Sequence, residues 1–139
     1  MKLKMDFNAL PDKVPSIPSG IYEAPVTGIE QAMNKKETGY NLVVEFTLGQ
    51  ESGELAGRKI KDWIPISTPD FPNNANQFSE VKLKRFLRSA NADLSGDELE
   101  LNDLLGSIVK FTVSCEVSND EVSGEVIERS SVQKYIIPD

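Results

Sequence analysis

Every second residue from Tyr40 to Leu48 is large and apolar, a period of two that is typical of a β-strand with one buried face. Similar stretches recur along the chain, bounded by glycine, proline and polar turn residues. Such a chain is expected to fold as a mainly β domain. The predicted strands cover residues 21–32, 40–48, 58–66, 108–116 and 125–137.

One segment between the third and fourth predicted strands has a different period. Leu83, Phe86, Leu87 and Ala90 follow the spacing of a single buried helix stripe, which predicts a helix over residues 77–90. The resulting order, β-β-β-α-β-β, is that of the OB fold. We therefore expect a five-stranded OB-like barrel with a helix between strands 3 and 4.

The length of the chain, 139 residues, is typical of one domain. Residues 1–19 are rich in proline and are predicted to form an extended N-terminal arm, and residues 20–139 the OB-like domain. Within that domain, Ser95 and Glu98 have the spacing of a helix capping box. A short second helix over 96–105 is therefore expected.

Composition narrows the chemistry. The chain contains no histidine, which excludes Ser-His-Asp and Cys-His catalysis, and Cys115 is its only cysteine. It has no apolar run long enough to cross a bilayer and no secretory signal, so we expect a cytoplasmic protein and no membrane contact. We predict no enzymatic activity, no catalytic residues, no cofactor and no metal site.

The net charge of −7 is unevenly distributed. Residues 1–91 hold 12 Lys and Arg against 11 Asp and Glu, whereas residues 92–139 hold 3 against 11. A polyanion must therefore bind a surface formed mainly by the first two thirds of the chain.

The third predicted strand carries the strongest candidate for a binding site. Alternation places Lys59, Lys61 and Trp63 on one face, with Arg58 where the strand begins. Single-stranded DNA binding requires this combination, because cations neutralise phosphates and a flat ring stacks on any base. The alternative is an ordinary solvated strand face.

Two further groups of cations are candidates for DNA contact. Lys35 and Lys36 lie in the turn after the first strand, which borders the cleft of an OB fold. Lys82 and Arg85 lie off the apolar stripe of the helix and are expected to extend the DNA track, although a solvated helix face has the same pattern. The acidic turn 118–121 borders the same cleft and would repel phosphate.

A nuclease-like pattern is also present. Asp70, Glu80 and Lys82 reproduce the order Pro-Asp, gap, Glu-x-Lys of magnesium-dependent nucleases. In those enzymes Glu-x-Lys lies on a strand, whereas here it falls at the start of the predicted helix, where an acidic residue suits the helix dipole. We therefore favour the electrostatic explanation over the nuclease.

The order and spacing of several short motifs add a resemblance. The chain resembles a family of small phage-encoded proteins to which single-stranded DNA binding is ascribed, over roughly residues 19–137. The resemblance implies an OB-like fold and a role in phage DNA replication or recombination in the cytoplasm of a bacterial host cell, and it implies no catalytic residues. The matching motifs are Ser19–Tyr22, Gly39–Phe46, Gly57–Asp62, Lys82–Leu87 and Asp103–Gly106.

The sequence thus favours sequence-independent single-stranded DNA binding, with DNA and replication or recombination proteins as partners and with self-association left open. The alternative is a protein-interaction module that recruits such a partner, suggested by the acidic last third. A nuclease is the third and weakest hypothesis.

Overall fold

The computed structural model describes residues 1–10 and 16–138. It contains the predicted five strands, with one α-helix after the third strand. Three short 3₁₀ turns cover Phe7–Ala9, Gln50–Leu55 and Leu101–Leu104. The regular elements are β1 (Gly20–Met33), β2 (Tyr40–Thr47), β3 (Lys59–Ile66), α1 (Gln77–Ser89), β4 (Ile108–Asn119) and β5 (Val126–Ile136).

The five strands form one antiparallel sheet in the order β3-β2-β1-β4-β5. The long strand β1 is shared, because its first half pairs with β4 and its second half with β2. An irregularity between Val26 and Gly28, next to Pro25, separates the two halves. A bulge there bends the strand, which allows one strand to serve two parts of a curved sheet.

Within the described part of the chain, no backbone ladder joins β3 to β5. The sheet is therefore open, and strand pairing alone does not form the closed barrel that the strand order predicted. Instead, side chains bridge the two edge strands.

Aromatic rings fill the space between the sheet and the helix. Phe46 and Phe111 approach to 4.6 Å between ring centroids, and Phe86 and Tyr135 to 5.2 Å. All four side chains are fully buried. Because these rings come from β2, β4, α1 and β5, one cluster holds most of the fold together.

The helix begins where the sequence predicts, because Asn76 caps it. The Asn76 side chain accepts a hydrogen bond from the Ser79 amide at 2.8 Å, and the Asn76 amide donates to the Ser79 hydroxyl at 2.8 Å. This reciprocal arrangement satisfies two backbone donors at the helix end. None of the helices in the described residues has the length and apolar character needed to cross a membrane.

The side chains of α1 cover one half of the free edge of β5. Lys82 donates to the carbonyl of Val132 at 3.0 Å, Arg85 to that of Tyr135 at 3.0 Å and Ser89 to that of Ile136 at 3.0 Å. These bonds satisfy backbone carbonyls in the second half of β5. The helix therefore acts as a cover for an open sheet edge.

A buried carboxylate joins β3 to the same region. Asp62 is 7% exposed and lies on the core side of β3, between Ile60 and Ile64. It accepts a hydrogen bond from the Tyr135 hydroxyl at 2.7 Å and lies 3.0 Å from Lys82 Nζ. Burial, and next the charge of Asp62, raise the pKa of Tyr135 far above its ordinary value. This cluster of Asp62, Lys82 and Tyr135, called the latch below, connects β3, α1 and β5.

The predicted second helix over 96–105 is wrong. Only the 3₁₀ turn Leu101–Leu104 forms there, and Ser95 does not cap it. The Ser95 hydroxyl and amide both donate to the Asp93 carboxylate, at 2.7 and 3.0 Å, and these bonds lower the pKa of Asp93. A local turn of this kind competes with helix formation.

The end of the predicted arm packs on the sheet. Ile17 is 2% exposed, and its carbonyl accepts a hydrogen bond from the Ser130 hydroxyl at 2.6 Å. The Ser19 hydroxyl accepts one from the Cys115 amide at 2.8 Å. Residues 1–10 are exposed, and the part of the predicted arm at 11–15 lies outside the described residues, as does residue 139.

Candidate functional site

A groove of about 670 Å³ runs along the open side of the sheet, between β3 and the first half of β5. One wall is formed by the start of β3 and carries most of the groove's cations. The other wall is the part of β5 that α1 leaves uncovered, and residues of the arm complete the lining. The groove is lined by Ser16, Ile17, Glu45, Arg58, Lys59, Ile60, Lys61, Trp63, Val126, Glu128 and Ser130.

The register of β2 and β3 explains the cationic wall. Lys59 pairs with Thr47, Lys61 with Glu45 and Trp63 with Val43, so these side chains share the outer face of the sheet. As predicted, Lys59, Lys61 and Trp63 are exposed and alternate with buried residues. Trp63 is 58% exposed.

Trp63 is the only tryptophan in the chain and lies across from an apolar partner. Val43 points to the outer face but is only 7% exposed, and Trp63 is its partner on β3. A large apolar side chain left more than half exposed on a strand costs hydrophobic free energy. The placement of Trp63 beside Lys59 and Lys61 gives the outer face a flat apolar surface next to positive charge.

Arg58 lies immediately before β3, after the glycine-containing loop 49–57. Its carbonyl accepts a hydrogen bond from the Leu48 amide at 2.9 Å, which fixes the entry to the strand. Gly57, with φ of 81°, supplies the left-handed backbone that this turn requires. Arg58 is half-buried and lines the groove together with Lys59.

Glu45, which sequence analysis did not select, occupies the centre of the cationic face. Its carboxylate lies 3.7 Å from Lys59 Nζ and 4.0 Å from Lys61 Nζ, and it accepts a hydrogen bond from the Thr27 hydroxyl at 3.1 Å. Sequence alternation places Glu45 on the outer face of β2. Only the register with β3 shows that it lies beside both lysines.

The opposite wall of the groove contains a carboxylate and a valine. Glu128 accepts a hydrogen bond from the Ser16 hydroxyl, which also lies 3.4 Å from Cys115 Sγ. Val126 is 49% exposed at the start of β5. The groove thus has one mainly cationic wall and one apolar and acidic wall.

The last residues of β4 and the first residues of β5 form an exposed hairpin, called the ribbon below (residues 116–128), which includes the groove residues Val126 and Glu128. Val117 is 64% exposed and Val122 97% exposed. The acidic residues of the ribbon are Glu116, Asp120, Glu121, Glu125 and Glu128.

The structure does not bring all the predicted cations together. Lys35 and Lys36 lie exposed in the β1–β2 turn, close to the Tyr40–Ile66 pair at the far end of β3. They do not line the groove, because Arg58 and Lys59 lie at the opposite end of that strand. Eight strand residues of about 3.3 Å each separate the two ends.

Lys82 and Arg85 also lie away from the groove lining. Both were expected to extend the DNA track, with an ordinary solvated helix face as the alternative, but their head groups donate hydrogen bonds to carbonyls of β5, and Lys82 pairs with Asp62. Sequence spacing showed that they lie off the apolar stripe. It did not show that a sheet edge with unpaired carbonyls lies beside that part of the helix.

The residues of the nuclease-like pattern lie in the loop before α1 and in the first part of α1. Asp70 is exposed in the loop before α1, and Glu80 is exposed in the first turn of α1. Lys82 is held by the latch. In the part of the chain that the structure describes, no group of three or more acidic or cysteine side chains is arranged to hold a metal ion.

The outer face of β2 and β3 can therefore offer stacking on an indole, two exposed ammonium groups and a carboxylate acceptor within one surface. A flat, anionic, extended ligand would use all of these contacts. Neither a scan against protein-family models nor a search of curated proteins finds a match to this chain.

Proposed function

We propose that this protein binds single-stranded DNA without requiring a defined sequence, across the outer face of β2 and β3 and into the adjoining groove. The observation that carries the proposal is the 58% exposure of Trp63 on the face that also presents Lys59 and Lys61. Base–aromatic stacking contributes about 1–3 kcal/mol per base, and the lysines neutralise phosphates.

The fold supports this assignment. We infer an OB-like barrel, in which the latch and α1 close the gap between β3 and β5 that backbone pairing leaves open. Three features are those of an OB fold: the strand order, the sharing of β1 between two parts of the sheet, and the helix after β3. In that fold the faces of strands 2 and 3 bind oligonucleotides.

Charge supports one path for the DNA. The ribbon carries five carboxylates, so phosphates are repelled from that end of the groove. Phosphates are expected along Arg58, Lys59 and Lys61, with bases turned toward Trp63. The resemblance to small phage proteins agrees with this proposal and suggests a role in phage DNA replication or recombination, in the cytoplasm of the infected cell.

The test is a titration at two salt concentrations with fluorescein-labelled single-stranded and double-stranded oligonucleotides. Binding of single strands should quench Trp63, whose signal is unambiguous because the chain has one tryptophan. We expect the single strand to bind more tightly than the duplex and to weaken as salt rises. Absence of any anisotropy change or quench at low salt would contradict the proposal.

A second candidate function rests on the ribbon. Its exposed valines and its carboxylates form an apolar and acidic surface that suits a basic protein partner, such as a replication or recombination protein. The double variant Glu121→Lys, Glu125→Lys should abolish capture of such a partner and leave oligonucleotide affinity unchanged or increased. Binding of DNA together with failure to capture any purified replication protein would remove this candidate.

A further inference from the structure

We infer that Glu45 makes the binding face selective for bases that carry an exocyclic amino group, so that cytosine-rich strands bind more tightly than thymine-rich strands. This inference rests on the proposed function. It concerns which bases the face accepts, and it assigns to Glu45 the role of a specificity-determining residue.

The position of Glu45 relative to Trp63 allows one base to contact both side chains. Glu45 pairs with Lys61 and Val43 pairs with Trp63, so Glu45 and Trp63 lie on one face in adjacent rows of the β2–β3 ladder. Side chains in such diagonal positions are about 7–8 Å apart and lie within reach of a single large group. A base stacked on the indole of Trp63 can therefore turn an edge toward the Glu45 carboxylate.

The Glu45 carboxylate has unused hydrogen-bonding capacity. Oε1 accepts a hydrogen bond from Thr27 at 3.1 Å. Oε2 lies 4.0 Å from Lys61 Nζ, a distance that permits electrostatic attraction but is too long for a hydrogen bond. No donor in the described residues forms a hydrogen bond with Oε2. Glu45 also borders a second cavity of about 320 Å³ on the same outer face, so the carboxylate is accessible to a ligand.

The hydrogen-bonding groups of the bases determine which of them the Glu45 carboxylate favours. An ionised carboxylate only accepts hydrogen bonds, so it repels a phosphate and favours a donor. Cytosine, adenine and guanine each present an amino group, whereas thymine presents carbonyl oxygens on both sides of its one ring N–H. The lysines beside Glu45 remain available for the phosphates, which places the base rather than the backbone over the carboxylate.

The experiment compares fluorescein-labelled 12-nucleotide oligodeoxycytidine and oligothymidine at pH 8, where cytosine is neutral. The wild-type chain should bind oligodeoxycytidine about fivefold to tenfold more tightly. Glu45→Gln should reduce that ratio to about one and strengthen binding of both strands, because it removes a negative charge and adds an amide donor. The matched control is Glu23→Gln, an exposed glutamate on the half of β1 that pairs with β4, and it should retain the preference.

A ligand-side variant tests the same contact without altering the protein. Oligonucleotides of N4,N4-dimethylcytidine stack like cytosine but have no amino hydrogens to donate, so the preference over oligothymidine should disappear. Equal affinity for oligodeoxycytidine and oligothymidine, or a preference that survives Glu45→Gln, would overturn the inference and leave DNA binding intact. Failure of both strands to bind would instead overturn the proposed function, and the inference with it.

Discussion

The binding energy of the proposed site depends on one ring. Trp63 is exposed, so truncating it removes little buried core, while it removes the stacking surface. We predict that Trp63→Ala weakens single-stranded DNA binding by about 1–3 kcal/mol, measured by anisotropy with labelled oligonucleotide. The control is Phe78→Ala, an 83% exposed aromatic on α1 away from the groove lining, which should leave affinity unchanged.

A second residue-scale prediction concerns salt. Each phosphate neutralised on a single strand contributes about 0.7 to the slope of log affinity against log salt. Lys61→Ala should therefore lower the magnitude of that slope by about 0.7. Lys110→Ala, on the half of the sheet that contains β4, should not change it. A slope that is equal in both variants would show that Lys61 makes no phosphate contact.

The sequence predicts the position of a residue best where strand alternation alone fixes the direction of its side chain. Alternation on β3 correctly placed Lys59, Lys61 and Trp63 on the outer face. It could not reveal that Glu45 lies beside these lysines, because that requires the register between two strands. Alternation also could not explain why the charged Asp62 lies between the buried Ile60 and Ile64. The hydroxyl that bonds to Asp62 belongs to Tyr135, which is far away in sequence.

At the scale of elements, the latch replaces a strand ladder. Asp62→Ala would leave the partly buried Lys82 ammonium without its counter-ion and the buried Tyr135 hydroxyl without its acceptor. Breaking a buried pair in this way costs about 3–5 kcal/mol of unfolding free energy. Urea denaturation should show this loss, whereas Tyr135→Phe, which removes one hydrogen bond to the buried carboxylate, should cost about 1.5–3 kcal/mol. Equal costs for the two variants would show that the ion pair contributes nothing.

Local sequence patterns predicted the strands and α1 correctly but predicted a second helix that does not form. The period of two predicted the strands, and the helical spacing of apolar residues predicted α1. Each pattern arises because the element buries one face. The second helix failed because Ser95 bonds to Asp93 two residues earlier, a local alternative that capping-box spacing does not exclude. The placement of Lys82 and Arg85 depended on the free edge of β5, which only the assembled sheet defines.

At the scale of the whole molecule, stability should fall in strong alkali. The pKa of Tyr135 is raised in the folded state above its ordinary value of 10.0, first by burial and then by Asp62. The folded protein therefore keeps this proton at a pH where the unfolded chain releases it. Its contribution is complete below pH 10 and is lost as pH rises above that value, by about 1.4 kcal/mol per pH unit. Chemical denaturation between pH 9 and 11 should show this loss, and Tyr135→Phe should show a smaller one.

The charge of the whole molecule shapes the way in which a nucleic acid can approach it. The net charge of −7 is concentrated in the last third of the chain, and the ribbon projects part of it past the groove. A single strand can follow the cationic wall and avoid the ribbon, whereas a stiff duplex has less freedom to do so. If the proposed function holds, we expect this asymmetry to favour single strands on grounds of shape as well as stacking.

The covering of β5 by α1 has a consequence for handling the protein. Lys82, Arg85 and Ser89 bond to carbonyls of β5 and so keep α1 packed beside the strand, where it blocks the approach of another molecule. If α1 detaches, the edge of β5 and, through loss of the latch, that of β3 become open to intermolecular pairing at the same time. Partial unfolding of this one helix is therefore the expected route to aggregation, and variants that weaken the helix should precipitate before they lose their β-sheet signal.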